Sequence, residues 1–225
     1  MYHSVTIGDK NTYDDWFIVP SSRPLFEAPK PKTKLVDVPG ANGQWDLSTA
    51  LTGYPVFEPR EGNLEFYVLN DHGEWSDRYS EIMTYLHGKK LDAILEDDPD
   101  WHYTGRFAVD QWKSEKDYSK IVISYIVDPY KYANTQEART INAGATLNLA
   151  GNDYGTAPII PQIRCFTNAG TQITFVNTYL GINVTKNVTS GIFTFPDIVL
   201  YGPQGASFIN GGLNPVLLTF QKGSL

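Results

Sequence analysis

Apolar and polar positions alternate over short distances along most of this chain. Ile121, Ile123, Tyr125 and Val127 occur at every second residue, as a strand with one buried face requires, and Asp128-Pro129 then breaks the run. Similar runs predict strands at Tyr2–Ile7, Trp16–Val19 and Leu64–Leu69. Leu91–Leu95 and Trp101–Val109 flank Glu96-Asp97-Asp98-Pro99-Asp100, whose Asp and Pro residues suit the tip of a hairpin. One stretch, Glu74–Gly88, has helical period. Tyr79, Ile82, Met83 and Leu86 fall at i, i+3, i+4 and i+7 and make one apolar stripe. Ser76 or Asp77 can cap its start, and Gly88 suits a left-handed stop. A lone amphipathic helix in a β-rich chain has to lay its stripe on a sheet, so these four residues are expected to form a helix-on-sheet core.

Between the first strands and the helix the pattern becomes irregular. Pro20, Pro24, Pro29 and Pro31 make Pro20–Lys32 an extended connector. A strand at Leu35–Val38 ends in Pro39-Gly40-Ala41-Asn42-Gly43, a strong turn signal. Trp45–Arg60 then reads as a long irregular segment carrying Trp45, Leu47, Leu51, Tyr54 and Phe57. A segment of this length either packs on its own domain or serves as an arm that lays apolar side chains on a neighbouring subunit.

After Ala133 charged residues nearly vanish and Asn, Thr, Gly and Ile dominate. Strands are expected at Ala145–Leu149, Ile163–Phe166, Gln172–Phe175, Gly181–Val184, Ile192–Phe195, Ile198–Tyr201 and Val216–Phe220, separated by turn residues in the manner of a β-sandwich. The expected fold is mainly β, with domains at residues 1–132 and 133–225 and a boundary segment at Lys131–Ala138. Charge divides the same way. Residues 1–132 carry 22 acidic against 14 basic side chains, a net −8, and residues 133–225 carry 3 against 4, a net +1. Neither part has the basic surplus of a nucleic-acid binder.

Candidate chemistry is sparse. Cys165, the single cysteine, excludes an internal disulfide framework and sits among apolar neighbours as a small buried hydrophobe. Glu96, Asp97, Asp98 and Asp100 offer carboxylates to Ca²⁺ but lack EF-hand spacing, which favours a solvated hairpin tip. His3, His72, His87 and His102 have no metal-ligand spacing, and HExxH, GxSxG, GxxxxGK[ST] and dinucleotide fingerprints are absent. No catalytic residue, metal site or cofactor is expected, and the chain does not read as an enzyme. Asn183-Val184-Thr185 and Asn187-Val188-Thr189 match the glycosylation sequon but are more simply strand and turn residues. No apolar run approaches the roughly 20 residues that cross a bilayer, so no membrane insertion is expected. MYHSVTIGDK lacks the features of a signal peptide, which leads to the expectation of a protein kept in the cytoplasm until assembly.

Four segments in order, TIGDKNTYDDWFIVPSSRP, KLVDVPGANGQWDLSTALTGYP, WSDRYSEIMTYLHGKKLDAILEDDPDWHYTGRF and WKSEKDYSKIVISYIVDPYKY, span most of residues 6–132. This part of the chain resembles the distal tail proteins of siphophages, the long-tailed phages, that infect Gram-positive bacteria. The rest matches in size and strand pattern alone. The resemblance implies an N-terminal β-sandwich with one helix, six copies of which form a homo-hexameric ring at the distal end of the virion tail. It also implies a C-terminal galectin-like sandwich outside that ring. The implied partners are the tail tube protein, the tail-associated (fibre or lysin) protein, and receptor-binding or baseplate proteins. DNA would pass through the ring without specific binding, and an acidic N-terminal domain suits such a channel. In this setting Trp45, Leu47, Leu51, Tyr54 and Phe57 become candidates for a subunit-interface arm. Three alternatives stay open: a tail-tube ring protein, a carbohydrate-binding adhesion module resting on the C-terminal aromatics, and a cell-wall hydrolase, for which no catalytic motif speaks.

Overall fold

A computed structural model of the protein describes residues 3–23, 25–69, 75–114 and 119–225. Tyr2, Pro24, His72 and Glu74, named above, lie outside the described residues. The fold is mainly β and divides into two compact units, Met1–Lys131 and Tyr132–Leu225.

In the first unit, strands β1 (Val5–Ile7), β2 (Lys10–Asn11) and β3 (Ile18–Pro20) precede a small separate pair, β4 (Leu35–Asp37) and β5 (Gln44–Asp46). Then follow β6 (Arg60–Val68), helix α1 (Trp75–Leu86), β7 (Lys89–Leu95), β8 (Trp101–Ser114) and β9 (Ser119–Val127). The main sheet of this unit runs β3-β6-β9-β8-β7-β1-β2, with each neighbouring pair antiparallel. Alternation decides which face is buried. Leu64, Phe66, Ile121, Ile123, Tyr125, Val127 and Phe107 point into one core, while Glu61, Asn63, Glu65 and Tyr67 line the other face.

Helix α1 closes that core. Ile82 and Leu86 are fully buried, and Tyr79 and Met83 pack half-buried on the same cluster. Tyr79 also meets Trp112 of β8 edge to face, with centroids 5.4 Å apart. Gly88 ends the helix with φ +76°, and its amide donates to the Phe107 carbonyl at 2.7 Å, so the stop is also the start of the next strand pairing. Ser76 and Asp77 do not cap the helix. Both lie inside its first turn, and the Ser76 carbonyl accepts from Ser80 Oγ at 2.8 Å.

The acidic hairpin tip is not simply solvated. Asp97 pairs with Arg23 at 2.7 Å and with His3 at 3.4 Å, Asp98 pairs with Lys131, and Glu96 accepts the Ser4 amide at 2.7 Å. Its carboxylates clamp the N-terminal segment and the end of the unit, and among the described residues no group of three or more His, Cys, Asp or Glu could hold a metal ion.

The two units divide between Lys131 and Tyr132, within the segment Lys131–Ala138, and the chain runs through this point as one continuous strand, β10 (Lys131–Ile141). It continues with β11 (Thr146–Leu149), the short helix α2 (Gly151–Tyr154), β12 (Gln162–Cys165), β13 (Thr171–Asn177), β14 (Ile182–Val188), β15 (Gly191–Thr194), β16 (Ala206–Asn210) and β17 (Val216–Ser224). Two sheets, β15-β12-β17-β10 and β11-β16-β13-β14, turn apolar faces inward. Phe175 and Phe208, both fully buried, pack with centroids 4.9 Å apart. Cys165 is buried in β12.

Two expectations about this unit fail. Ile198–Tyr201 is not a strand. Ile198, Val199 and Leu200 are buried in succession, and the side-chain amide of Asn177 donates to the Val199 and Tyr201 carbonyls at 3.1 and 2.9 Å, leaving a single bridge from Leu200 to Ile159. Conversely, Ala206–Asn210 is a strand that polar residues disguise, because Asn210 is buried in a hydrogen-bond network rather than exposed.

The helix contact sets a measurable stability. Leu86→Ala removes a fully buried side chain where helix and sheet leave little room to collapse, and it should cost about 2–5 kcal/mol. A urea titration should show the midpoint falling accordingly, whereas the exposed Glu81→Ala should leave it nearly unchanged.

Candidate assembly arm

Residues 28–59 leave the core of the first unit and return to it, and their geometry is that of a built arm. At the root, Arg60 is buried at the start of β6. Its Nε donates to the Pro129 carbonyl and one terminal nitrogen to the Glu27 carbonyl, both at 2.9 Å, while the guanidinium lies 5.3 Å from the centre of the Tyr103 ring. Burial pulls the Arg60 guanidinium below its ordinary value, and the Tyr103 and Tyr125 phenols oppose that shift. From so high a starting point the group stays charged.

Above the root the outgoing and returning chains are laced together. The Glu58 amide donates to the Lys30 carbonyl and the Lys32 amide to the Val56 carbonyl, each at 2.8 Å, and Pro31 bridges Phe57. Beyond them β4 and β5 pair through Leu35↔Asp46, Val36↔Trp45 and Asp37↔Gln44. Gly40 and Gly43, at φ +86° and +73°, let the Pro39–Gly43 turn close that hairpin. Trp45 is therefore a strand residue, and the segment expected to be irregular begins as half of a hairpin. After it, the Asp46 carboxylate accepts Ser48 Oγ at 2.5 Å and the Ser48 amide at 2.8 Å, which holds its pKa below the usual carboxylate value.

The five candidate arm residues divide by position. Trp45 (59% exposed), Leu47 (43%) and Leu51 (101%) present apolar surface to solvent, joined by Leu35 (52%). Tyr54 and Phe57 are half-buried. Phe57 meets Tyr130 edge to face at 5.9 Å, so it fastens the arm to its own unit. Leu47, Leu51 and Val56 share a shallow groove with Lys32, Lys34 and Thr52. Sequence reasoning missed Leu35, whose outward direction only the hairpin register reveals, and Arg60, which nothing local distinguishes from a surface arginine.

The helix-on-sheet residues Tyr79, Ile82, Met83 and Leu86 occupy the core and contribute nothing to this surface. On the other helix face, Arg78 reaches 5.5 Å from the Phe17 ring centre and donates to the Leu69 carbonyl, and His87 Nδ1 accepts the Val109 amide at 3.1 Å. Both tie the helix to its own unit.

Comparison with known proteins follows the fold more than the sequence. No family model and no curated protein matches the chain by sequence. Among solved structures it is similar to the Dit protein (gp 19.1) of SPP1, described as a paradigm of the hub adsorption apparatus in phages that infect Gram-positive bacteria. The TM-score is 0.71 at 13% identity, over 100% of both chains. The fold is Dit-like. At that identity few side chains are shared, so a Dit-like chain must build its surfaces from its own residues, which makes the arm geometry above the informative part.

Two measurements test the arm. Arg60→Met strands two carbonyls and should cost about 2 kcal/mol, and trypsin should cut after Lys32 or Lys34 faster than in the parent while the remaining sites outside this segment keep their rates. Asp46 has a folded pKa below its unfolded one. Its contribution is therefore complete above the unfolded value, about 3.9, and is lost as pH falls through the lower folded value. The hairpin signal of the protein should stay constant from pH 7 to 5 and change below about pH 4, a change that Ser48→Ala should reduce but not abolish, because the Ser48 amide bond remains.

Proposed function

We propose that the protein is a structural hub of a siphophage tail: a homo-hexameric ring at the distal end of the virion tail, joining the tail tube to the tail-associated protein and to receptor-binding or baseplate proteins. The observation that carries this reading is the arm. An isolated two-stranded hairpin is marginal in water, yet β4–β5 stands apart from both larger sheets of its chain. It also exposes Trp45, Leu47 and Leu51, with Leu35 exposed on the opposite face of the hairpin. Covering such side chains is worth roughly 1.5–3 kcal/mol each, and a second copy of the chain is the natural cover. A patch on one subunit that meets a different patch on the next is a heterologous contact, which closes into a ring when the rotation permits.

The Dit-like fold supports placing this contact in a tail hub. Residues 1–132 form the ring, and residues 133–225 are the galectin-like outer domain to which adhesion proteins attach. The net charge of −8 on the first part suits a channel that DNA crosses without binding. The role is structural and non-enzymatic, with assembly in the host cytoplasm. A tail-tube protein would stack into long tubes, whereas a hub stops at one ring or a pair.

Purified protein should show six-fold rings by negative-stain microscopy. Deleting residues 40–58, or the milder Trp45→Ser with Leu47→Ser and Leu51→Ser, should leave monomers in light scattering with an unchanged fold by circular dichroism. Hexamers that persist in both variants exclude the arm as the ring contact, and a parent that stays monomeric at high concentration counts against the hub itself.

A further inference from the structure

The outward face of the β11-β16-β13-β14 sheet has an unusual composition. Register sets Gln172 beside Asn187, Thr174 beside Thr185 and Val176 beside Asn183 on β13 and β14. On the neighbouring strands, Ser207 stands beside Asn148 and Ile209 beside Thr146. None of these ten side chains is charged. Lys186, the one charged residue of β14, faces the other way and is held by Asp197 at 2.5 Å. Both sequon asparagines, Asn183 and Asn187, belong to this face, so the Asn and Thr that imitate a modification signal build a continuous neutral surface.

At one end the face becomes concave. A hollow of about 300 Å³ is lined by Gln172, Asn187 and Thr189 over a floor of Gly170, Gly211 and Gly212. The floor leaves no room for a larger residue at Gly212, since a Cβ there would fall 1.6 Å from Thr171 Oγ1. Its shape is fixed from below by Asn210, which is fully buried. The Asn210 amide donates to the Ile141 and Asn214 carbonyls at 3.0 and 2.8 Å, and its oxygen accepts the Gly212 amide and Thr171 Oγ1, both at 3.0 Å. The next residue, Leu213, is 93% exposed on this pinned turn. A fully satisfied buried network that holds a hollow open, with an apolar side chain beside it, is a preorganised recognition surface rather than a loose loop.

We propose that this hollow binds an uncharged polysaccharide. Amides and hydroxyls each offer both donors and acceptors, which is what a sugar hydroxyl needs on its two sides. The lack of charge is the selective feature. An anionic polymer gains nothing here and loses part of its hydration, while a neutral one meets partners of its own kind. A protein partner would also require apolar anchors at the centre of the patch, and this face offers only Val176 and Ile209. The site lies entirely within the second unit and does not depend on the ring.

Native electrophoresis of the full chain tests this, in gels cast with dextran, mannan or galactan and, separately, with polyglycerol-phosphate teichoic acid. The expected result is retardation in at least one neutral gel and none in the anionic gel. Gln172→Ala with Asn187→Ala should weaken the retardation about tenfold, Thr189→Val should weaken it less, and Asn183→Ala, at the far end of the strand, should leave it intact. Thermal unfolding checks that each variant folds. Free migration in every neutral gel, retardation by the anionic polymer alone, or retardation that survives both hollow variants overturns the proposal.

Discussion

Everything in the first unit depends on two side chains of one helix meeting one sheet. Ile82 and Leu86 fill the space over β8 and β9, and without them Leu64, Phe66, Phe107 and Ile123 would face water. Val5, Ile7, Trp16, Ile18 and Phe26 complete the same core around the helix. The helix is therefore the lid of the core, and Gly88 couples the end of the lid directly to the strand ladder beneath it. Residues 28–59 contribute little to this core and hold to it chiefly through Arg60 and Phe57.

How much of this was legible in the sequence follows from where the physics is local. The stripe of Tyr79, Ile82, Met83 and Leu86 and the alternation from Ile121 to Val127 are local patterns, and both elements stand where those patterns put them. Failures occurred where a side chain replaced a backbone partner. Asn177 occupies the carbonyls that an Ile198–Tyr201 strand would need, and Asn210 looks polar in sequence but is buried by four hydrogen bonds. Composition changes near Ala133, and the two units divide between Lys131 and Tyr132, within the continuous strand Lys131–Ile141. In the arm, exposed and fastening residues look alike in sequence. The hairpin register sends Leu35 and Trp45 to opposite faces, both exposed, whereas Phe57 lies beyond the hairpin and is fastened by its contact with Tyr130.

The two units solve different surface problems with different chemistry. The first carries most of the charge and many of its ion pairs, as at Asp97, Asp98 and Lys120. The second nearly dispenses with charge and relies on amides and hydroxyls. Ionic pairs at the surface weaken as salt rises, whereas neutral hydrogen bonds do not. The first unit should therefore feel ionic strength, and the neutral sheet face of the second should hardly notice it.

Arg60 carries one more implication. Its partners at the root of the arm are carbonyl oxygens and aromatic rings, groups that do not titrate between the acidity of an endosome or a fermenting culture and that of fresh medium. A carboxylate in their place would have made the arm's seating a function of acidity. With carbonyls instead, the segment stays anchored across that range of acidity, and any pH-driven release of it would have to act elsewhere in the molecule.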